Sequence, residues 1–423
     1  MGDYGTVCSL NRAAVCRQWR VDAIRRVDVH KFYISWYAKL LRCSVRQQAP
    51  KRRDDAGMRN GMGADINTKA NISATNDGPS IGAVDLFCGI GGLTYGLRTS
   101  GIDVVAGYDL DSSCEYAYEA NNGEGTFICK NVSEVTGDEI NERLKDFDIK
   151  VLVGCAPCQP FSTHRKDKKH RERHKDWGLL AQFGRLAEEV MPDYISMENV
   201  PELVKESIFT DFVATLKRLG YSVTYNVVKA EEYGVPQRRR RLLLLASKEG
   251  AISLIGPTND EEDAVTVRQA IGELPPVKAG GVCQGDPLQT ASILTDINLK
   301  RIRASKPNGT WRDWPEELRL DCHKKDSGKT YPSVYGRMAW DETAPTITTQ
   351  FYCYGTGRFG HPQQDRALTL REGAILQSFP ADYKFIQDGE KISRKAVARH
   401  IGNAVPPKLG EAVGRSIIAA CAQ

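Results

Sequence analysis

The chain has 423 residues, 41% hydrophobic and 26% charged, the balance of a folded globular protein; this excludes a disordered, collagen-like or fibrous polymer and predicts more than one domain. Its longest apolar run, the four consecutive leucines within 241–246, falls far short of the roughly 20 residues that cross a bilayer. The net charge of +5 is local: residues 1–57 hold 12 Lys and Arg against 5 Asp and Glu, and the rest holds 46 against 48.

At the N-terminus, Asp3, Arg12 and Arg17 interrupt any apolar core of a secretory signal, so a cytoplasmic protein is expected. Residues 21–41 pattern as an amphipathic helix, with Ile24, Phe32, Ile34, Trp36 and Leu40 among basic residues. Residues 56–80, rich in Gly, Asn, Asp, Ser and Thr, read as a linker. Three readings of the basic segment stand: a DNA-binding arm, a disordered tail, or an upstream stretch ahead of a true start at Met58 or Met62, the last ranked slightly ahead. The twelve cysteines contain one C-x-x-C pair, Cys155 and Cys158, and no second pair to complete a zinc ribbon, so no metal site is expected.

From residue 81 the pattern alternates. Strand-like runs at 81–87, 104–108, 151–154, 194–197 and 242–246 are interleaved with helix-length segments at 93–99, 179–190 and 208–219, which predicts an α/β domain: a parallel sheet with helices on both faces. Beyond about 270, Pro, Gly and short polar segments dominate. Helical periodicity returns at 370–377 and 396–420, in a tail that could complete the first domain. The expected division is an extension and linker at 1–79, a catalytic domain at 80–269, an irregular domain at 270–367 and a returning segment at 368–423.

Four strings carry chemistry. D-L-F-C-G-I-G-G at 85–92 is a glycine turn between strand and helix, and Asp109 ends the next strand, where a carboxylate can hold both hydroxyls of a ribose; a nucleotide or S-adenosylmethionine fits. G-C-A-P-C-Q-P-F-S at 154–162 puts Cys158 just past a strand end, where ligands of open α/β sheets bind and a nucleophile is useful. M-E-N-V at 197–200 puts Glu198 at another strand end. In V-P-Q-R-R-R-R-L at 235–242, Arg239 and Arg241 share one face of an extended segment by period two and could converge on one ligand.

Taken in order, with A-P-T-I-T-T at 344–349, L-R-E-G-A-I-L-Q-S-F-P at 370–380 and I-G-N-A-V-P-P at 401–407, these strings resemble the cytosine-5 DNA methyltransferase family from about residue 81 onward. The resemblance implies a Rossmann-like S-adenosylmethionine-dependent methyltransferase domain with a smaller target-recognition domain, acting on a flipped-out cytosine in a specific duplex DNA sequence. Carbon 5 of cytosine is a poor nucleophile until a thiolate adds to carbon 6. Cys158 would be that thiolate, Glu198 would contact N3 and the exocyclic amine, and Arg239 and Arg241 would support the cytosine carbonyl, the neighbouring acid or the catalytic loop. For the cofactor, Phe87 would pack on the adenine, Gly89, Ile90 and Gly91 would approach the methionine part, and Asp109, where the family more often has glutamate, would hold the ribose. Asn131 stands where an aspartate usually meets the adenine amine, and Leu110 where an aromatic often packs; Asp85, Val132, Leu180 and Asn403 complete that pocket.

DNA contacts are expected from the basic loop after Cys158, through His164, Arg165, Lys166, Lys168, Lys169, Arg171 and Arg173, and from Gln237 and Arg337. Sequence reading falls to 270–367, which offers Lys300, Arg301, Arg303 and Arg312 with Trp311, Trp314 and Tyr331. The implied setting is restriction-modification or solitary DNA methylation by a monomer, with any cognate restriction endonuclease acting separately. A nicotinamide oxidoreductase would leave Cys158 and Glu198 idle, and an amino-group methyltransferase needs a Pro-Pro-aromatic loop, whereas the two Pro-Pro pairs here precede Val277 and Lys408. A tRNA cytosine-5 methyltransferase and a catalytically silent DNA-binding regulator are the remaining alternatives.

Overall fold

The computed structural model describes residues 78–157, 177–259 and 263–422. The helix expected at 21–41, most of the linker, Cys158 and the basic loop at 164–175 lie outside the described residues. Strands β1 (Ile81–Leu86), β2 (Asp103–Asp109), β3 (Phe127–Cys129), β4 (Ile149–Gly154), β5 (Tyr194–Asn199), β6 (Ser222–Lys229) and β8 (Arg240–Ser247) form one sheet in the order β3-β2-β1-β4-β5-β8-β6. The two-residue strand β7 (Gln237–Arg238) pairs elsewhere.

The sheet is mixed rather than parallel throughout. β1 to β5 are parallel, but β8 is antiparallel to both β5 and β6. Residues 230–239 between β6 and β8 are too few for the dozen-residue crossover a parallel return requires. β3 and β6 were not expected: β3 has only three residues, and much of β6 faces solvent, so neither presents an apolar run.

Helices cover both faces. α1 (Gly92–Ser100), α2 (Glu115–Asn122), α3 (Gly137–Arg143), α4 (Leu179–Val190) and α5 (Ser207–Arg218) alternate with the strands. Leu242 and Leu244 join Phe183 and Phe212 from α4 and α5 in one core, while Leu243 and Leu245 join Leu97 from α1 in another. The leucine run therefore serves both faces, the pattern of a strand covered on each side.

The region 270–367 is mostly irregular, with β9 (Val282–Cys283), β10 (Asp286–Thr290), α6 (Asp296–Ala304) and β11 (Ala344–Pro345), which pairs with β7. Trp311 and Trp314 are buried in its own small core with Ile302 and Tyr354. Then come α7 (Leu370–Leu376), α8 (Arg394–Asn403) and α9 (Pro407–Cys421). The helix expected over 396–420 is broken after α8, where Pro406 and Pro407 cannot continue the ladder of backbone hydrogen bonds. α9 lies along α1 at backbone contact: a Cβ on Gly96 would sit 2.2 Å from the Pro407 carbonyl oxygen. Among the described residues no helix is long and apolar enough to cross a membrane.

Candidate active site

The chain runs outward from β1 to β3 and returns to β4 on the other side of β1. Such a reversal opens a crevice beyond the carboxyl ends of the strands. The glycine turn lies there. Phe87, Gly89 and Gly91 all take positive φ (60°, 52° and 82°), and at Gly91 a side chain would also meet Asn122 Nδ2 at 2.3 Å. At Gly89 the Cβ position faces open space, room for a ligand to approach the backbone.

Asp109 locks onto this turn. Its Oδ2 accepts the Gly89 N–H at 2.8 Å and its Oδ1 the Asp111 N–H at 2.9 Å, while burial pushes its pKa above the usual aspartate range. Each oxygen keeps a further lone pair, the acceptors that two ribose hydroxyls require. Behind the turn, Asp85 is buried with Oδ2 accepting the Thr94 hydroxyl at 2.7 Å, and burial pushes it up to about 7. Asp85 thus braces α1. Leu110 is 67% exposed beside Asp109. Asn131 uses its Oδ1 to cap the turn after β3 through the Ser133 N–H, and Ile90, Val132 and Leu180 are buried in the core, so these three offer apolar backing. Asn403 is exposed at the end of α8, and the adjoining Val405 carbonyl abuts Gly92.

A second set of contacts stands behind Asp109. Arg399 of α8 donates to Asp111 Oδ2 at 2.7 Å, and Ser113 is within 3.1 Å of His400 Nε2. The returning C-terminal segment therefore holds the loop whose N–H fixes Asp109. Asp111, Cys114 and His400 could in principle face a cation, but Asp111 already neutralises Arg399.

Across the crevice, β4, β5 and β8 bring charges together. Glu198, 3% exposed, accepts the Cys155 S–H on Oε2 at 2.8 Å. Arg241 Nε lies 2.8 Å from Oε1 as an ion pair, yet among the described residues no donor is aligned to give Oε1 a hydrogen bond. Asn199 donates to the Ala156 carbonyl at 2.9 Å, tying the segment that leads to Cys158 onto β5. A buried carboxylate is therefore held against residues 155–156, just ahead of Cys158 in the chain.

Residues 81–419 match the family described as C-5 cytosine-specific DNA methylase. The chain belongs to that family. It is 53% identical over 341 residues to the Type II methylase M.HgiDII of Herpetosiphon aurantiacus, covering 80% of this chain and 95% of that one. It is 33% identical over 354 residues to the Type II methyltransferase M1.BsuMI of Bacillus subtilis, with 78% of each covered. Among solved structures, an Escherichia coli prophage-encoded chain described as a DNA modification methyltransferase superposes with a TM-score of 0.61 at 21% identity, over 81% of this chain and all of that one. The Dnmt2 methyltransferase of S. pombe gives 0.51 at 16% identity, over 80% and 98%, a likeness of fold. This methylase is a DNA cytosine-5 methyltransferase, and its methyl donor is S-adenosylmethionine. The positive-φ turn, the space at Gly89 and the free lone pairs of Asp109 fit that donor.

Three expected site residues of the methylase have other work. Arg239 does not converge with Arg241. It lies between β7 and β8, where the strand is interrupted, and its buried guanidinium donates to the Ile347 carbonyl at 3.1 Å and to those of Gly402 and Ala404. Gln237 is fully buried and bonds the Leu376 carbonyl and Gln377, so it does not reach DNA. Arg337, also buried, donates to the carbonyls of Ile302, His361 and Gln364 and to Asp365. Sequence reasoning missed Cys155, Asn199, Asp111 and Arg399. The first two stood inside quoted motifs, but their partners lie on another strand.

Proposed function

We propose that this methylase acts on a cytosine turned out of duplex DNA, with Cys158 as nucleophile and Glu198 as the carboxylate that receives the base. The observation that carries this reading is Glu198 itself: buried at a strand end, fixed by Cys155 and Arg241, with one oxygen to which no donor among the described residues is aligned. Holding a proton at N3 of the base draws electron density from the ring as the Cys158 thiolate adds to carbon 6, so the carboxylate assists where charge develops. Arg241 keeps Glu198 oriented. Asn199 anchors the approach to Cys158 at Ala156. S-adenosylmethionine supplies an electrophilic methyl group, and Asp109, with the Gly89 turn, holds its ribose. Carbon 5 would take the methyl group as its bond to the sulfonium breaks; transfer of the carbon 5 proton to a water base, departure of the Cys158 thiolate and return of the N3 proton to Glu198 would then restore the aromatic ring.

Residues 270–367 are assigned to target recognition, and the 164–175 loop to phosphate contact. The working protein is read as a cytoplasmic monomer in a Type II modification system, any endonuclease acting separately. Its test is incubation with tritiated S-adenosylmethionine and either mixed genomic DNA or tRNA, followed by nucleoside analysis. Label is expected in 5-methylcytosine of DNA, and label confined to tRNA would overturn the reading. Cys158→Ala should abolish turnover while cofactor binding persists, and retained methylation would remove Cys158 from its role.

A further inference from the structure

A cavity of about 380 Å³ lies where the arginine run meets the irregular region, lined by Arg238, Asn308, Met338, Glu342, Thr346 and Arg358 among others. β8 starts at Arg240 and pairs Leu242 with Asn199 at the end of β5, so the residues before it project past the carboxyl edge of the sheet. Arg238 is three residues from Arg241, at most about 11 Å of extended chain. The cavity is therefore a neighbour of the Glu198–Arg241 pair, on the side facing the residues assigned to DNA recognition.

Its charges do not balance. Glu342 accepts Arg238 at 2.6 Å on Oε2 and Asn308 at 2.8 Å on Oε1, so both of its oxygens are engaged. Arg358 donates only to neutral oxygens, Asn308 Oδ1 at 2.8 Å and the carbonyls of Asn308 and Gly309, and among the described residues it forms no ion pair. Asn308 holds a left-handed backbone (φ 58°), unusual for a residue with a side chain, and both its oxygens serve Arg358. Burial and the nearby charge of Arg238 push the Arg358 pKa below the ordinary arginine value, against the opposing pull of Glu342 and Asp313. A half-buried cation with no carboxylate in direct ion-pair contact gains from an arriving anion. The Thr346 hydroxyl donates to the Arg238 carbonyl at 2.7 Å, and each Glu342 oxygen already accepts one hydrogen bond. The cavity's two arginines outnumber its one carboxylate, an excess of cationic donors that favours a phosphate over the mixed donor and acceptor edge of a base.

We propose that the Arg238–Arg358 cavity seats a backbone phosphate of the DNA substrate, gripping the duplex next to the extruded base. This rests on the assignment of residues 270–367 as the DNA-facing region. It makes Arg358 a sequence-independent anchor rather than a reader of bases.

The test is equilibrium binding of labelled duplexes, of mixed sequence and containing the methylated site, over a range of salt concentrations in the presence of S-adenosylmethionine. Arg358→Ala should weaken binding about equally for every duplex and reduce the slope of log affinity against log salt by about 0.9, the change expected for one lost phosphate contact. Arg358→Lys, which retains a point charge, should keep most of the slope. Unchanged cofactor affinity in both variants shows that the fold is intact. An unaltered salt slope in Arg358→Ala overturns the inference, as does a loss confined to the methylated sequence, which would make Arg358 a base reader. Wild-type protein that binds no duplex would instead overturn the assignment of 270–367, and the inference with it.

Discussion

On the β1–β3 side of the crevice the central carboxylate, Asp109, takes one backbone N–H on each oxygen, whereas on the β4–β5–β8 side Glu198 has an oxygen to which no donor among the described residues is aligned. One half is set by main-chain geometry. The other is a cluster of side chains, Glu198, Cys155 and Arg241, which the proposed function assigns to receiving the base. Preorganised backbone contacts favour binding of the donor, while a donor-deficient carboxylate favours a state that forms during reaction. The two halves should therefore fail differently.

Glu198→Gln gives the largest separation. It keeps the size and removes the charge, so the methyl-transfer rate in single turnover should fall by roughly 10²–10³-fold, the scale found when a group aimed at developing charge is lost. Cofactor affinity, measured by calorimetry, should stay put. An equal loss of cofactor affinity would break the distinction between the halves.

Asp109→Asn is the converse. A hydrogen bond to a charged group contributes about 1.5–3 kcal/mol, so KM for S-adenosylmethionine should rise roughly 10–100-fold with kcat nearly intact. The pH dependence has a definite sign. Burial raises the Asp109 pKa, and only the ionised carboxylate can accept from two hydroxyls, so wild-type cofactor affinity should fall with decreasing pH sooner than an ordinary aspartate would allow. The asparagine variant should lack that decline. A decline persisting in it would assign the titration to another group.

The glycine turn and the carboxylate fixed to it were legible in the sequence because their parts are local: a glycine turn, the strand before it and the carboxylate ending the next strand. Glu198 was legible for the same reason, as an acid closing an apolar strand. What supports Glu198 was not, since Cys155 and Arg241 reach it from two neighbouring strands. The arginine run shows the limit of period-two reading. That pattern holds only while the strand continues, and here Arg238 pairs with Pro345 in another sheet and Arg239 falls in the break, where its donors find three carbonyls distant in sequence. Gln237 and Arg337 were expected at DNA. Both are instead buried, with partners supplied by segments whose return to this place no local pattern announces.

The smallest effect sharpens the comparison most. If the cofactor half is rigid because the C-terminal segment clamps it, then Arg399 acts on Asp109 through Asp111 without touching the ligand. Both members of the Arg399–Asp111 pair are well exposed, and such pairs contribute about 1 kcal/mol or less, so Arg399→Ala should raise KM for S-adenosylmethionine only about 2–5-fold and leave kcat and KM for DNA unchanged. Asp111→Ala retains the main-chain N–H that bonds Asp109, so any effect it has reports placement of the loop rather than loss of that bond. The double variant should then be no worse than Asp111→Ala alone, because each change releases the same clamp. Additive losses would mean that Arg399 reaches the cofactor site by a separate route. No change in any of the three would mean that the Gly89 N–H suffices to hold the carboxylate, and the rigidity of this half would reside wholly in the glycine turn.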